Sequence, residues 1–308
     1  MLEQLFSQLA ERGVQGRLVS IDRLGDLEAG IEEPRRQGLL DSKLIQTYLS
    51  EFDYHLPETL PDARSIIVVA VPQPQVRVTF TWAGEPVSFI IPPTYPEREM
   101  DSHVLGLLRE ILEPAGYRLA EARLPKKLLA VRSGLAAYGK NNVTYVPGMG
   151  SFYGLVTAYT DLPVAEDDWR EPQMMERCRN CAACQRHCPA GAITPERFLL
   201  HAERCITFHN EKPAGVPFPP WMDAAWHNCL IGCLHCQWIC PENRDARQWV
   251  EAGVVFSQEE TEPLLGGAPR GQVPAAMWEK MQRVHLDRWV ELLPRNLGTL
   301  LAARAASR

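Results

Sequence analysis

Leu2, Leu5, Phe6 and Leu9 recur at helical spacing in the opening segment MLEQLFSQLAERG, interrupted by Glu3 and Glu11. That pattern predicts an amphipathic surface helix and not a signal peptide. Ser65 to Val71 (SIIVVAV) is a continuous β-branched run, which predicts a buried strand. Val76, Val78, Phe80 and Trp82 alternate with Arg77, Thr79 and Thr81 as in a half-buried strand, with a turn at Gly84-Glu85-Pro86 and a returning strand from Val87 to Ile91. Asp101 or Ser102 is placed to cap a helix running to about Leu112, with Val104, Leu105, Leu108, Ile111 and Leu112 as its apolar stripe. A second helix is expected from Pro125 to near Gly134. Gly148 to Thr160 reads as a glycine-rich turn followed by a strand. These elements make an α+β domain, with helices on a mostly antiparallel sheet. The C-terminal part, with Trp278, Met281, Val284 and Trp289 and then Leu292 to Ala306, reads as helical. The expected division is 1–164, 165–250 and 251–308.

Composition narrows the class without changing the fold. The 308 residues fit about two domains of ordinary size. Hydrophobic residues make up 45 % and charged residues 23 %, a globular balance, and the net charge of -6 argues against a mainly electrostatic grip on nucleic acid. With no run of eighteen apolar residues, no membrane span is expected.

The chemistry is concentrated in one stretch. All nine cysteines fall between Cys178 and Cys240, and none lies elsewhere. The first run is Cys178-x2-Cys181-x2-Cys184-x3-Cys188-Pro189, and the second ends Cys233-x2-Cys236-x3-Cys240-Pro241. The x2-x2 spacing wraps a tight loop around a four-iron cube and supplies three thiolates. The fourth cysteine, before proline, ligates the other cluster in two-cluster folds. Zinc sites pair C-x2-C with a second such pair or with histidines and do not need this arrangement. Short-spaced runs also fit reduced thiolates in the cytoplasm better than a disulfide frame. One cysteine is surplus. If the second run is symmetric with the first, Cys229 is a ligand and Cys205 is free; if Cys205 is a ligand, Cys229 is free.

The wider motif set resembles the epoxyqueuosine reductase family. Arg204-Cys205-Ile206-Thr207-Phe208 and Gly232-Cys233-Leu234-His235-Cys236-Gln237-Trp238-Ile239-Cys240-Pro241-Glu242-Asn243 are similar to its ferredoxin region. Leu60 to Val69, Arg132 to Asn141, Gly150-Ser151-Phe152-Tyr153 and Tyr159-Thr160-Asp161-Leu162-Pro163 resemble its upstream segments. The resemblance implies a corrinoid-binding domain of nitroreductase-like type, then a bacterial-ferredoxin-like domain with two [4Fe-4S] clusters, then short C-terminal helices. It also implies base-off cobalamin and an architecture shared with reductive dehalogenases. It assigns Cys178, Cys181, Cys184 and Cys240 to one cluster and Cys188, Cys205, Cys233 and Cys236 to the other, leaving Cys229 over. Gly139, Lys140, Asn141, Gly150, Ser151, Phe152 and Thr160 become the corrinoid candidates.

Two departures redirect the expected function. The place of the family's catalytic aspartate falls on Ala120, beside Glu121. The C-terminal helical-repeat region of larger members is represented only by its beginning, Pro294-Arg295-Asn296-Leu297, and the residues from there to Arg308. The expectation is therefore a cytoplasmic, cobalamin-dependent iron–sulfur oxidoreductase acting on a small molecule and not on tRNA, fed by a flavodoxin or ferredoxin. Glu121, Tyr138 and Lys140 are its catalytic candidates, and Tyr153 and Tyr95 are further phenolic proton donors. One alternative is a protein that reduces a partner corrinoid protein and has no organic substrate. Another is flavin in place of the corrinoid. Asp101-Ser102-His103-Val104-Leu105-Gly106 matches a cobalt-ligating D-x-H-x-x-G pattern, but its position at the start of an amphipathic helix favours a cap over ligation. Trp221, Trp226, His227, His235 and Trp238 are expected to shield the clusters from water.

Overall fold

The computed structural model describes residues 1–95 and 97–306. Its strands, in chain order, are β1 (Gln15–Ser20), β2 (Ser65–Pro72), β3 (Gln75–Trp82), β4 (Glu85–Ile91), β5 (Leu119–Glu121), β6 (Ala137–Tyr138), β7 (Thr144–Tyr145), β8 (Tyr153–Thr160) and β9 (Val250–Phe256). The chain divides into two compact units made of interleaved segments. The first holds Met1–Gln73, Glu97–Ala182 and Glu196–Leu199, and the second Pro74–Pro96, Ala183–Pro195 and Leu200–Arg308. The contiguous division expected from the sequence contains no such interleaving. Its origin is strand pairing: β3 lies parallel to β9, so the β3–β4 hairpin belongs with the C-terminal part.

In the first unit, four antiparallel strands run in the order β1-β2-β8-β5. The β-branched run is the interior strand β2, and Ile66 to Ala70 are fully buried. Because successive strand residues face opposite sides, Ile66, Val68 and Ala70 enter one core while Ile67 and Val69 enter another. The first core is closed by Leu27, Leu128 and Leu129 of the helices Leu24–Arg36 and Lys126–Arg132. The second is closed by Leu5 and Leu9 of the helix Leu2–Glu11, and by Met100, Val104 and Leu108 of the helix Glu97–Leu112. That last helix starts a turn earlier than expected, because Met100 extends the apolar stripe. Asp101 and Ser102 are thus inside the helix and not at its cap. The Asp101 carboxylate instead pairs with Lys126 Nζ at 3.3 Å, and His103 is exposed.

In the second unit, β3 pairs antiparallel with β4 as read from the sequence, and parallel with β9, which the sequence pattern does not disclose. Ala83 and Gly84 turn the hairpin with φ of 52° and 77°, as a tight two-residue connection requires. Phe80 stacks on Phe256 with ring centroids 5.1 Å apart. Val78, Val254, Met281 and Leu297 complete this core with the helices Gln258–Leu265, Ala275–Arg283 and Leu293–Ala306. The helices Ala275–Arg283 and Leu293–Ala306 fall where the C-terminal pattern predicts helix; Pro213 to Pro220 forms neither helix nor strand.

Candidate metal centre

The cysteines of the second unit sit on very short elements that punctuate long loops. Cys184 is on the helix Ala183–His187, and Cys188 follows it, its N–H donating to Cys184 O at 3.1 Å. Cys205 precedes the helix Ile206–Asn210, and Cys236 lies on the helix His235–Trp238. Backbone N–H groups are aimed at sulfur: that of Ala192 donates to Cys188 Sγ at 3.3 Å, and those of Thr207 and Phe208, with the Thr207 hydroxyl, donate to Cys205. The N–H of His235 donates to Cys233 and that of Leu234 to Cys229. Cys188, Cys205 and Cys229 all lie within electrostatic reach of Cys233. Burial pushes the Cys205, Cys229 and Cys233 thiols up, against the pull of these donors.

The surrounding loops are tied down by groups to which the sequence assigned no role. Arg204 Nε donates to Ala190 O at 2.8 Å, and its guanidinium lies over the Trp221 ring. Arg295 reaches five carbonyls, those of His209, Asn210, Lys212, Pro213 and Val216, and covers the Phe218 ring at 4.1 Å. Burial lowers the Arg295 pKa to about 10, still charged at neutral pH. Asn296 adds bonds to Asn210 O and Leu230 O at 2.9 Å each. Pro294-Arg295-Asn296-Leu297 was legible as a motif, but not as the clamp on the loop after Cys205.

The expected shielding residues divide. Trp226 packs on Ala190, Ile206 and Met222 beside Cys188 and Cys233. His235 is 2.9 Å from Trp226 O, while Trp238 donates instead to Gln75 Oε1 at 2.6 Å. Trp221 is partly exposed. His227 is buried against Phe218, with both ring nitrogens unpartnered among the described residues. Burial, with the Arg295 charge, lowers its pKa to about 4 and keeps it neutral. Tyr95 donates to Glu211 at 2.7 Å.

In the first unit, β6 anchors the segment that leads into the first cysteine run. Tyr138 N–H donates to Gln173 O, and Met175 N–H donates to Tyr138 O. The Cys178 N–H then donates to Met175 O, and that of Cys181 to Cys178 O. Lys140 Nζ closes this loop from the following turn, donating to Cys181 O at 2.8 Å and Arg179 O at 3.4 Å.

The corrinoid candidates Gly139, Lys140, Asn141, Gly150, Ser151 and Phe152 flank β7, which the structure brings together through the Val146–Gly150 bridge. Thr160 is not with them. It lies at the far end of β8, about 24 Å along the strand from Tyr153, and its hydroxyl accepts from Leu162 N–H. Asn141 Nδ2 donates to Tyr145 Oη, and Tyr153 Oη to Thr144 Oγ1. Tyr138 is buried, which pushes its pKa up to about 12 and keeps the phenol protonated. Ala120 is packed in the core on β5. Glu121, the next residue, is exposed and projects to the opposite face. It therefore does not stand where an aspartate at position 120 would.

The donor set of the second unit fits iron–sulfur ligation: four neighbouring thiols, Cys188, Cys205, Cys229 and Cys233, each receiving an N–H, the kind of hydrogen bond that sets cluster potentials. Ligation, which removes the thiol proton, relieves the cost of burial there. Among the described residues no three His, Cys, Asp or Glu side chains converge as ligands of one ion do. The fit therefore rests on donor chemistry and neighbourhood. The corrinoid candidates differ: Lys140 and Asn141 spend their polar atoms inside the unit, so they do not themselves make a fit.

Comparison with known proteins bears on the cysteine region and on the fold. The family of 4Fe-4S double cluster binding domains matches residues 177–243. The epoxyqueuosine reductase of Aliivibrio fischeri is 32 % identical over 141 residues, covering 45 % of this chain and 36 % of that protein. That of Cyclobacterium marinum is 25 % identical over 234 residues, 75 % of this chain and 65 % of its own length. The aligned segment thus spans about a third of the first of these relatives. Solved structures of epoxyqueuosine reductases from Streptococcus thermophilus and Bacillus subtilis share the fold. Their TM-scores are 0.68 and 0.71 at 18 % and 22 % identity, each covering 99 % of this chain and 81 % and 82 % of theirs. The molecule is thus a mixed α/β protein carrying a double four-iron cluster domain. More particularly, it is similar in sequence and in fold to epoxyqueuosine reductases.

Proposed function

We propose that this chain is an iron–sulfur oxidoreductase that passes single electrons, received from a flavodoxin or ferredoxin, to a cofactor site on the first unit, where a small organic molecule is reduced. The observation that carries the reading is the double cluster domain at residues 177–243, with N–H donors aimed at its thiols. Cys178, Cys181, Cys184 and Cys240 would hold one four-iron cluster, and Cys188, Cys205, Cys233 and Cys236 the other. Bound there, the clusters would supply one-electron transfer. The chain's own residues do the rest. The N–H groups of Ala192, Thr207, Phe208 and His235 stabilise charge on sulfur, Trp226 excludes water, and Lys140 and Arg295 hold the cysteine loops. Base-off cobalamin is the cofactor that the resemblance implies for the first unit, where it would supply a low-potential cobalt centre. Tyr138, held protonated, is the proposed proton donor, in preference to exposed Glu121.

The net charge of -6 and the buried Ala120 favour a small substrate over tRNA. Anaerobically purified protein should show two interacting reduced clusters by electron paramagnetic resonance and should shift the absorbance of added cob(II)alamin to the base-off form. No corrinoid spectrum and no binding of added cobalamin would sink the cobalamin part; flavin released by acid would replace it.

Ala120 also favours a second reading, a protein that reduces a partner corrinoid protein and has no substrate of its own. Cobalt reduction in such a partner, with no turnover of small molecules, supports it; turnover of a small molecule without reduction of any partner rejects it.

A further inference from the structure

The surplus thiol is not remote from the second cluster's ligands. The stretch Asn228–Leu234 folds back on itself: Leu234 N–H donates to Asn228 Oδ1 at 3.3 Å, and Gly232 takes φ of 68° to make the turn. A Cβ at Gly232 would run into the Tyr95 ring and hydroxyl, and the positive φ also disfavours a side chain there. Cys229 pairs with Ile90 as a parallel bridge and is wholly buried. It lies four residues before Cys233, and the N–H of Leu234 is shared between Asn228 Oδ1 and its sulfur, while that of His235 is directed at Cys233. Cys188 and Cys205 approach Cys233 from other segments. Cys229 therefore shares the neighbourhood of three of the ligands assigned to one cluster, Cys188, Cys205 and Cys233.

We propose that Cys229 is a reserve ligand of the cluster held by Cys188, Cys205, Cys233 and Cys236. When one iron–thiolate bond of that set is lost, the Cys229 thiol gives up its proton to solvent or to the departing thiolate and forms the replacement iron–sulfur bond. One iron–sulfur bond breaks and one forms, and no electron changes hands. A thiol already buried beside these ligands competes with water for the vacated iron without having to diffuse to it. The inference rests on the two-cluster reading above.

Iron and acid-labile sulfide are measured in anaerobically prepared full-length protein, beside Cys205→Ala, Cys229→Ala and the double variant, with far-UV circular dichroism to report folding. Wild type and Cys229→Ala should each hold about eight irons. Cys205→Ala should stay near that value with altered resonance g-values, and the double variant should fall to about four. If Cys205→Ala alone falls to the level of the double variant, Cys229 does not substitute and the proposal is overturned. If Cys205→Ala is not recovered folded, the same comparison on Cys236→Ala and Cys236→Ala/Cys229→Ala decides in the same way. Wild type with far fewer than eight irons would instead refute the two-cluster reading.

Discussion

Lys140, a sequence candidate for chemistry at a cofactor, has its ammonium engaged with the carbonyls of Arg179 and Cys181, inside the first cysteine run. Its role is to position the loop. Lys140→Met should cost about 1–2 kcal/mol locally and speed amide exchange in residues 178–182 about 5–30-fold. Unchanged exchange by mass spectrometry would show that the loop does not need this side chain. Asp167 is a second residue whose weight is local. It receives Ser20 N–H, Trp169 N–H and both arms of the Arg23 guanidinium. Burial pushes its pKa up, but these donors and the Arg23 charge outweigh that and hold it below the usual carboxylate range. A depressed folded pKa contributes stability that is complete above the unfolded value and is lost as pH falls through the folded one. The gap in urea midpoint between wild type and Asp167→Asn should therefore be full at pH 7 and close below about pH 4. A gap that does not narrow with acid would contradict this.

At the scale of elements, the β3–β9 pairing decides how the chain divides. Gly253 lies where an added Cβ would be 2.9 Å from Arg77 O and 2.8 Å from Val76 Cγ1. A backbone oxygen cannot move aside as a side chain can, so Gly253→Ala should destabilise by about 1–3 kcal/mol, read as a lowered Tm. The helix Leu293–Ala306 acts through its first residues. Arg295→Met removes one donor from each of five carbonyls, of which His209 O, Asn210 O and Pro213 O keep another, and should cost about 1–3 kcal/mol. Arg295→Lys should recover only part of this, because an ammonium cannot reach five acceptors with a planar fork. Full recovery by lysine, measured by denaturant midpoint, would show that charge alone matters. These elements also mark what the sequence could disclose. The cysteine runs, the β2 run and the β3–β4 hairpin were legible because their signals lie within a few residues. β9 was not, since Glu251 and Gly253 break its apolar pattern and its partner is about 170 residues away. The Arg295 clamp was hidden for the same reason, its carbonyls lying 79 to 86 residues upstream.

For the whole molecule, the cysteine-rich segment and the α+β frame are separate matters of evidence. The thiols have neighbours and N–H donors suited to clusters. The polar side chains expected around a corrinoid are instead spent within their own unit, and Ala120, where the resemblance places an aspartate, is a core residue. Among the described residues no helix is long and apolar enough to cross a membrane. The proposed function rests on two four-iron clusters that serve a cofactor-dependent reduction. One anaerobic preparation of the full chain, supplied with cobalamin during expression and assayed together for iron, sulfide and cobalt, tests it most directly. About eight irons, about eight sulfides and one cobalt per chain are expected. Four or fewer irons, or stoichiometric zinc in their place, would contradict it.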